Sequence, residues 1–320
     1  MSNTDRTPDA VELQANVVHA VDVLTARKAA IGDGTEVRRL LPARTLRTIG
    51  AWCFLDHYGP DDVSAGPGMQ VPPHPHIGLQ TASWLFDGLV LHRDSLGSEQ
   101  LIRPGELNLM TSGRAIAHAE ESPADRPPLL HGVQLWIALP RERRFGDPGF
   151  AQHADLPVVT TPDGVRITVV AGQFAGERSP ARVYTPLVGV ELALPGPGEF
   201  TLPASEGFEY GVMAADGPAT VGCPAIGGSP AEIEVGMLAH LPAGVPSITV
   251  SATGPGRFFI IGGVPLGERL IMWWNFVGRT EEDIVTARDA WVAGEFGQVA
   301  GYAGDPLPAP ALPPGGLVAR

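Results

Sequence analysis

Only two cysteines occur in the 320 residues, Cys53 and Cys223, and they stand 170 positions apart, which excludes a disulfide framework and a CxxC metal knuckle. So little cysteine fits a reducing cytoplasm, the expected location. Charge is also scarce, at 18% of residues, and the formal net charge of -13 is the wrong sign for nucleic acid or anionic membrane. Both surfaces need a basic face to displace their counterions, so neither is an expected partner, while protein partners stay open. No apolar run approaches the roughly 18 residues that a membrane-spanning helix needs. The opening MSNTDRTPDAVELQ has no basic stretch followed by an apolar core, so export is not expected.

Glycine (40) and proline (32) are plentiful and lack any period, so they read as turn punctuation between many short strands. Apolar or alternating runs cover 82–86, 107–110, 115–119 and 131–138 in the first half, and 165–171, 188–194, 208–213, 233–239, 247–250 and 257–262 in the second. In 131–138, Val133, Leu135 and Ile137 fall on one face and Gln134, Trp136 and Ala138 on the other, the period of two of a strand. The expected fold is all-β. Its expected divisions are a mobile stretch at 1–15, domains at 16–150 and 151–303 joined through the turn-rich segment from Pro140 to Asp163, and a Pro-rich extended tail at 304–320. A single helix is expected after Thr280, with acidic residues in its first turn and Ile284, Ala287 and Trp291 on one face.

Among nine histidines the tightest group is PPHPHIG, which sets His74 and His76 two apart, and AIAHAEE repeats that spacing with His118 and Glu120. On a strand, residues i and i+2 share a face, so two strands can present four ligands to one point. The 44 positions from His74 to His118 leave room for intervening hairpins that bring the pairs face to face in a closed antiparallel barrel. Read singly, each histidine would be a hydrogen-bonded core or loop group. Two such pairs point instead to one divalent transition ion in an open site, iron(II) first, with manganese, nickel, copper and zinc remaining open. His57 and His131 read as structural, and Asp56, Gln134 or a backbone carbonyl as the acceptor for a ligand imidazole's second N–H.

The segments HPHIGLQTASWLFDG, PGELNLMTSGRAIAHAEES and HGVQLWIALP resemble the pirin family of bicupin metalloproteins over roughly 50–140, and PLGERLIMWWNFVGRTEEDI resembles its closing segment. The resemblance implies two cupin-type β-barrels, with His74, His76, His118 and Glu120 as the iron ligands. It also implies a metal-free second domain, where no HxH pair accompanies His240. Three residues depart from the family pattern: Gln80 stands for Glu, Ile77 for Arg and Ala115 for Gly. Gln80 shares the strand parity of His74 and His76 and is expected to face the pocket. The activity implied is quercetin (flavonol) 2,3-dioxygenation, with Glu120 as catalytic base. An iron-dependent redox sensor acting through protein contacts is the alternative, and another cupin isomerase or oxygenase stays open.

Overall fold

A computed structural model describes residues 21–32, 34–227 and 229–319. The expected mobile stretch at 1–15 lies outside them. Among the described residues the fold is β throughout apart from one 3-10 turn and one helix, Glu281–Val292. It has four layers. A seven-stranded sheet runs in the order Gly149–His153, Leu107–Thr111, Leu79–Asp87, Leu129–Ala138, Trp52–Asp62, Thr35–Leu41 and Arg27–Ile31. A four-stranded sheet, Gln70–His76, Ile116–Glu121, Val90–Asp94 and Glu99–Ile102, covers one of its faces. The second half repeats the plan with an eight-stranded and a four-stranded sheet. Each cupin unit is thus a pair of packed sheets rather than the closed barrel expected, because among the described residues neither large sheet hydrogen-bonds around to its small one.

The two large sheets pack against each other, which explains why Leu129–Ala138 alternates and yet is buried on both sides. Its Val133, Leu135 and Ile137 join Ala82, Trp84 and Leu109 against Val170, Leu187, Phe259 and Ile261 of the second half. Trp52 anchors this layer by donating from Nε1 to the carbonyls of Val188 (3.2 Å) and Gly262 (3.1 Å). The opposite face of the strand, Gln134 and Trp136, looks into the first unit.

The two interiors differ in chemistry. That of the second unit is apolar, with Val190, Leu192, Val212, Phe258 and Ile260 meeting Val221, Ile248 and Val250. That of the first is crossed by a polar row, because strand register sets Asn108 beside Ser83, Ser83 beside Gln134, Gln134 beside Asp56 and Asp56 beside Arg39. All five are buried. Buried polar groups cost free energy unless something satisfies them, so a row of them marks a working interior rather than a packing core.

The chain ends do not keep to a division at 150. Asp22–Thr25 pairs with Met237–Leu241 in the second unit's large sheet. Conversely the hairpin Ile271–Trp273/Phe276–Gly278, the helix and the tail return to the first unit. There Trp273, Trp274, Phe276, Ile284 and Leu317 pack on Ile77 and Ala117, and Leu307 N donates to the Pro73 carbonyl (2.8 Å). The helix starts as its sequence demands, with Thr280 and Asp283 forming a reciprocal capping box.

Candidate metal centre

The HPH strand and the HAE strand are adjacent neighbours in one sheet, not opposite walls as expected. His118 sits directly across from His74 in the antiparallel register, and a bulge follows between His118 and Glu120. The sharp exit after His76 is made by Gly78, whose φ of +69° suits glycine. A Cβ there would also fall 2.0 Å from the Val277 carbonyl oxygen.

His74, His76 and His118 each bring a ring nitrogen within 4.8 Å of the others, and none of the three side chains is exposed. His76 Nε2 lies 3.1 Å from His118 Nε2. His74 Nε2 is buried without a hydrogen-bond partner among the described residues. The opposite nitrogens are fixed: His74 Nδ1 lies 2.8 Å from the Pro72 carbonyl oxygen and His76 Nδ1 lies 2.9 Å from that of Asn275. A carbonyl only accepts, so each Nδ1 carries the proton and each Nε2 presents a lone pair to the cluster. Burial pushes all three imidazoles well below the ordinary histidine pKa, and so holds them neutral, the form that ligates metal. His74 and His76 thus turn lone pairs, the first of them orphaned, toward His118, an arrangement that could hold a cation.

Glu120 falls in a second, overlapping trio with His118 and His92. Ser83 Oγ lies 3.2 Å from its Oε1 and 2.7 Å from Gln134 Oε1, and the single hydroxyl proton can serve either, so the polar row reaches the candidate ligands. Tyr58 is buried nearby, and its phenol is pushed well above its usual pKa by burial and then by the Glu120 charge. On the other side Trp136 stands edge-on to His76, with ring centroids 5.1 Å apart, and stacks on Phe54 at 4.0 Å. Gln134 Nε2, Trp136 Nε1 and both amide atoms of Asn108 have no hydrogen-bond partner among the described residues.

Other expectations change. Gln80 does not face this pocket: it lies beyond the Gly78 turn on Leu79–Asp87, where parity with His74 and His76 no longer holds. Its Nε2 donates to Thr111 Oγ1 (2.9 Å) and to the Arg182 carbonyl (3.0 Å) at the contact between halves. Ile77 and Ala115, the other two departures, both meet the apolar cluster of the returning C-terminal segment. Asp56 does not serve a ligand imidazole, since it binds Arg39 through two contacts of 2.7 Å, nor does Gln134, which is held by Ser83. His57 and His131 bond each other at 2.8 Å and are buried, the structural role expected. His92 was missed, although LHRD carries the same two-residue spacing, His92 to Asp94, as the other pairs.

The Pirin family profile matches residues 34–137, and that of the pirin C-terminal cupin domain matches 189–297. A Pseudomonas aeruginosa protein provisionally named a quercetin 2,3-dioxygenase is 44% identical over 297 residues, 92% of this chain and 91% of that one. The chain belongs to the pirin family. A pirin-like protein of Caulobacter vibrioides is 35% identical over 281 residues, covering 86% of this chain and 93% of its own. The crystal structure of a quercetin 2,3-dioxygenase from Acinetobacter baumannii superposes with a TM-score of 0.86 at 44% identity, covering 92% of this pirin and 96% of that chain. The bicupin architecture is therefore shared. Among the described residues, no helix of this pirin is long and apolar enough to cross a membrane.

Proposed function

We propose that the protein is a metal-dependent dioxygenase of the quercetinase type, acting on a flavonol through a mononuclear site of His74, His76, His118 and Glu120. The observation that carries this reading is the convergence of three neutral imidazoles, of which His74 and His76 have Nδ1 held by a carbonyl, with His74 Nε2 unpartnered among the described residues and His76 Nε2 turned to His118 Nε2. Iron(II) is the ion proposed. Bound there, it would supply the Lewis-acid and redox chemistry that lets dioxygen cleave the flavonol's central ring with loss of carbon monoxide.

The protein's part is binding, orientation and proton handling. Glu120, steadied by Ser83 Oγ at 3.2 Å, accepts the proton of the substrate's 3-hydroxyl. The Phe54–Trp136 stack offers a flat apolar wall beside His76, and the unpartnered amide atoms of Asn108 and Gln134 offer partners for ring oxygens. A flat, oxygen-rich molecule satisfies both. The names of the Pseudomonas and Acinetobacter relatives support the same substrate class.

A sensor reading has one observation in its favour. His76 is hydrogen-bonded to the Asn275 carbonyl, in the turn of a C-terminal hairpin that packs on the capped helix, so a change at the site has a direct route to that element. The test is aerobic oxygen uptake with quercetin by iron-loaded protein, beside His118→Ala and Glu120→Gln. Turnover abolished in both variants supports the dioxygenase. Stoichiometric iron without turnover would transfer the proposal to the sensor, and a native protein that binds no metal would sink both.

A further inference from the structure

The three clustered imidazoles are not held alike. His74 and His76 each rest Nδ1 on a backbone carbonyl, whereas His118 rests its Nδ1 on another imidazole, the Nδ1 of His92 at 3.3 Å. His92 Nε2 in turn lies 3.3 Å from Asp94 Oδ2. The register puts His118 across from Asp94 and Glu120 across from His92, so all four side chains leave one face of two paired strands. His92, Asp94 and His118 are buried. The Phe150 ring stacks on His92 at 4.4 Å with an interplanar angle of 16°, fixing its plane. Asp94 is itself anchored, its Oδ1 accepting from the backbone N–H of Leu96 (2.9 Å) and Ser98 (3.0 Å).

These contacts dictate where the protons sit. An ionised carboxylate only accepts, so His92 donates from Nε2, and its Nδ1 is then a lone pair. That lone pair accepts the Nδ1–H of His118, leaving His118 Nε2 unprotonated toward His76. We infer that Asp94 and His92 are positioning residues that set the tautomer and ring orientation of His118 through a carboxylate–imidazole–imidazole chain. This rests on the metal reading above for its purpose, but the chain itself is a property of the metal-free protein. An imidazole backed by a carboxylate also accepts more strongly than an amide carbonyl, so His118 is the most basic donor of the three. Such partners characteristically alter metal affinity by about 10- to 100-fold when removed.

The test is the tautomeric state of His118 in the metal-free, full-length protein, read by histidine-selective nitrogen-15 NMR, together with cobalt(II) affinity by competition with a chelator. In the wild type, His118 should carry its proton on Nδ1. Asp94→Asn keeps the carbonyl that serves Leu96 and Ser98 but turns an N–H donor toward His92. That forces His92 to accept at Nε2 and donate at Nδ1, so His118 should flip to the Nε2–H form and cobalt affinity should fall about 10- to 100-fold. His92→Phe keeps the stack on Phe150 and should lose the same affinity, while His92→Gln, whose amide oxygen can accept the Nδ1–H, should restore most of it. A wild-type tautomer and affinity in both Asp94→Asn and His92→Phe would overturn the inference. So would binding of two cobalt ions per chain that drops to one in His92→Phe, which would make His92, His118 and Glu120 a second metal site. If the wild type binds no cobalt but the tautomer still follows Asp94 and His92, the metal reading fails and the chain stands.

Discussion

Replacing Asp56 with Asn should destabilise the metal-free protein by about 3–5 kcal/mol, the usual consequence of removing one partner from a buried ion pair. Neither the Arg39 nor the Asp56 side chain is exposed, and the guanidinium grips the carboxylate through Nε to Oδ1 and Nη2 to Oδ2, both at 2.7 Å. Asn keeps one acceptor and turns an N–H₂ toward a guanidinium N–H, so donor faces donor around an uncompensated charge. Phe54, whose centroid lies 4.5 Å from the guanidinium carbon, cannot replace a carboxylate. Against a typical stability of about 5–15 kcal/mol, the loss is about a fifth or more. The assay is the urea midpoint at constant m-value. The double substitution Arg39→Met, Asp56→Leu removes both charges and should restore most of the loss, because pairs of this kind contribute little net stability once desolvation is counted. A single variant costing under about 1 kcal/mol, or a double variant costing as much as the single, would refute the reasoning.

Stability of the metal-free protein should fall on acidification. Burial holds His57, His74, His76 and His118 well below the usual histidine pKa and His131 at about 4, so below about pH 6.5 the unfolded chain takes up protons that the fold refuses. The stabilisation is complete above that pH and is lost as pH falls toward the folded values, by up to about 1.4 kcal/mol per pH unit for each such imidazole. Equal urea midpoints at pH 7.5 and 5.5 would contradict this. Gly78→Ala adds about 1–2 kcal/mol of left-handed backbone strain and presses on the Val277 carbonyl, so the C-terminal segment should become sensitive to limited proteolysis while the second unit resists. Unchanged proteolysis would argue against that contact. Thr280→Ala should cost about 1 kcal/mol by removing the helix cap, measurable as a drop in Tm, and no drop would mean that tail packing alone sets the helix start.

Strand rhythm, the helix after Thr280 and the pairing of ligand-type residues at i and i+2 were all readable in the chain, because side-chain periodicity is local. Contacts set by topology were not. The HPH and HAE strands became neighbours through long-range pairing rather than facing walls, and Gln80 turned to the contact between halves because the chain passes at Gly78 from the small sheet to the large one. Asn275 could not be named as a partner of His76, since its contribution is a backbone carbonyl brought in by the return of the C-terminal segment. His92 is a different case. Its spacing to Asp94 matched the pattern already in use, so the pair was legible in LHRD.

That return gives the site a built-in order of completion. All four candidate ligands are synthesised by residue 120, yet the carbonyl that fixes His76 comes from a residue 199 positions later than His76 itself. Until that segment docks, His76 is free to take either tautomer, and only one of them leaves Nε2 available. The tautomer of His76 is therefore set by the finished chain rather than by its first domain. A fragment ending at residue 150 would contain every candidate ligand and still lack the carbonyl that orients His76.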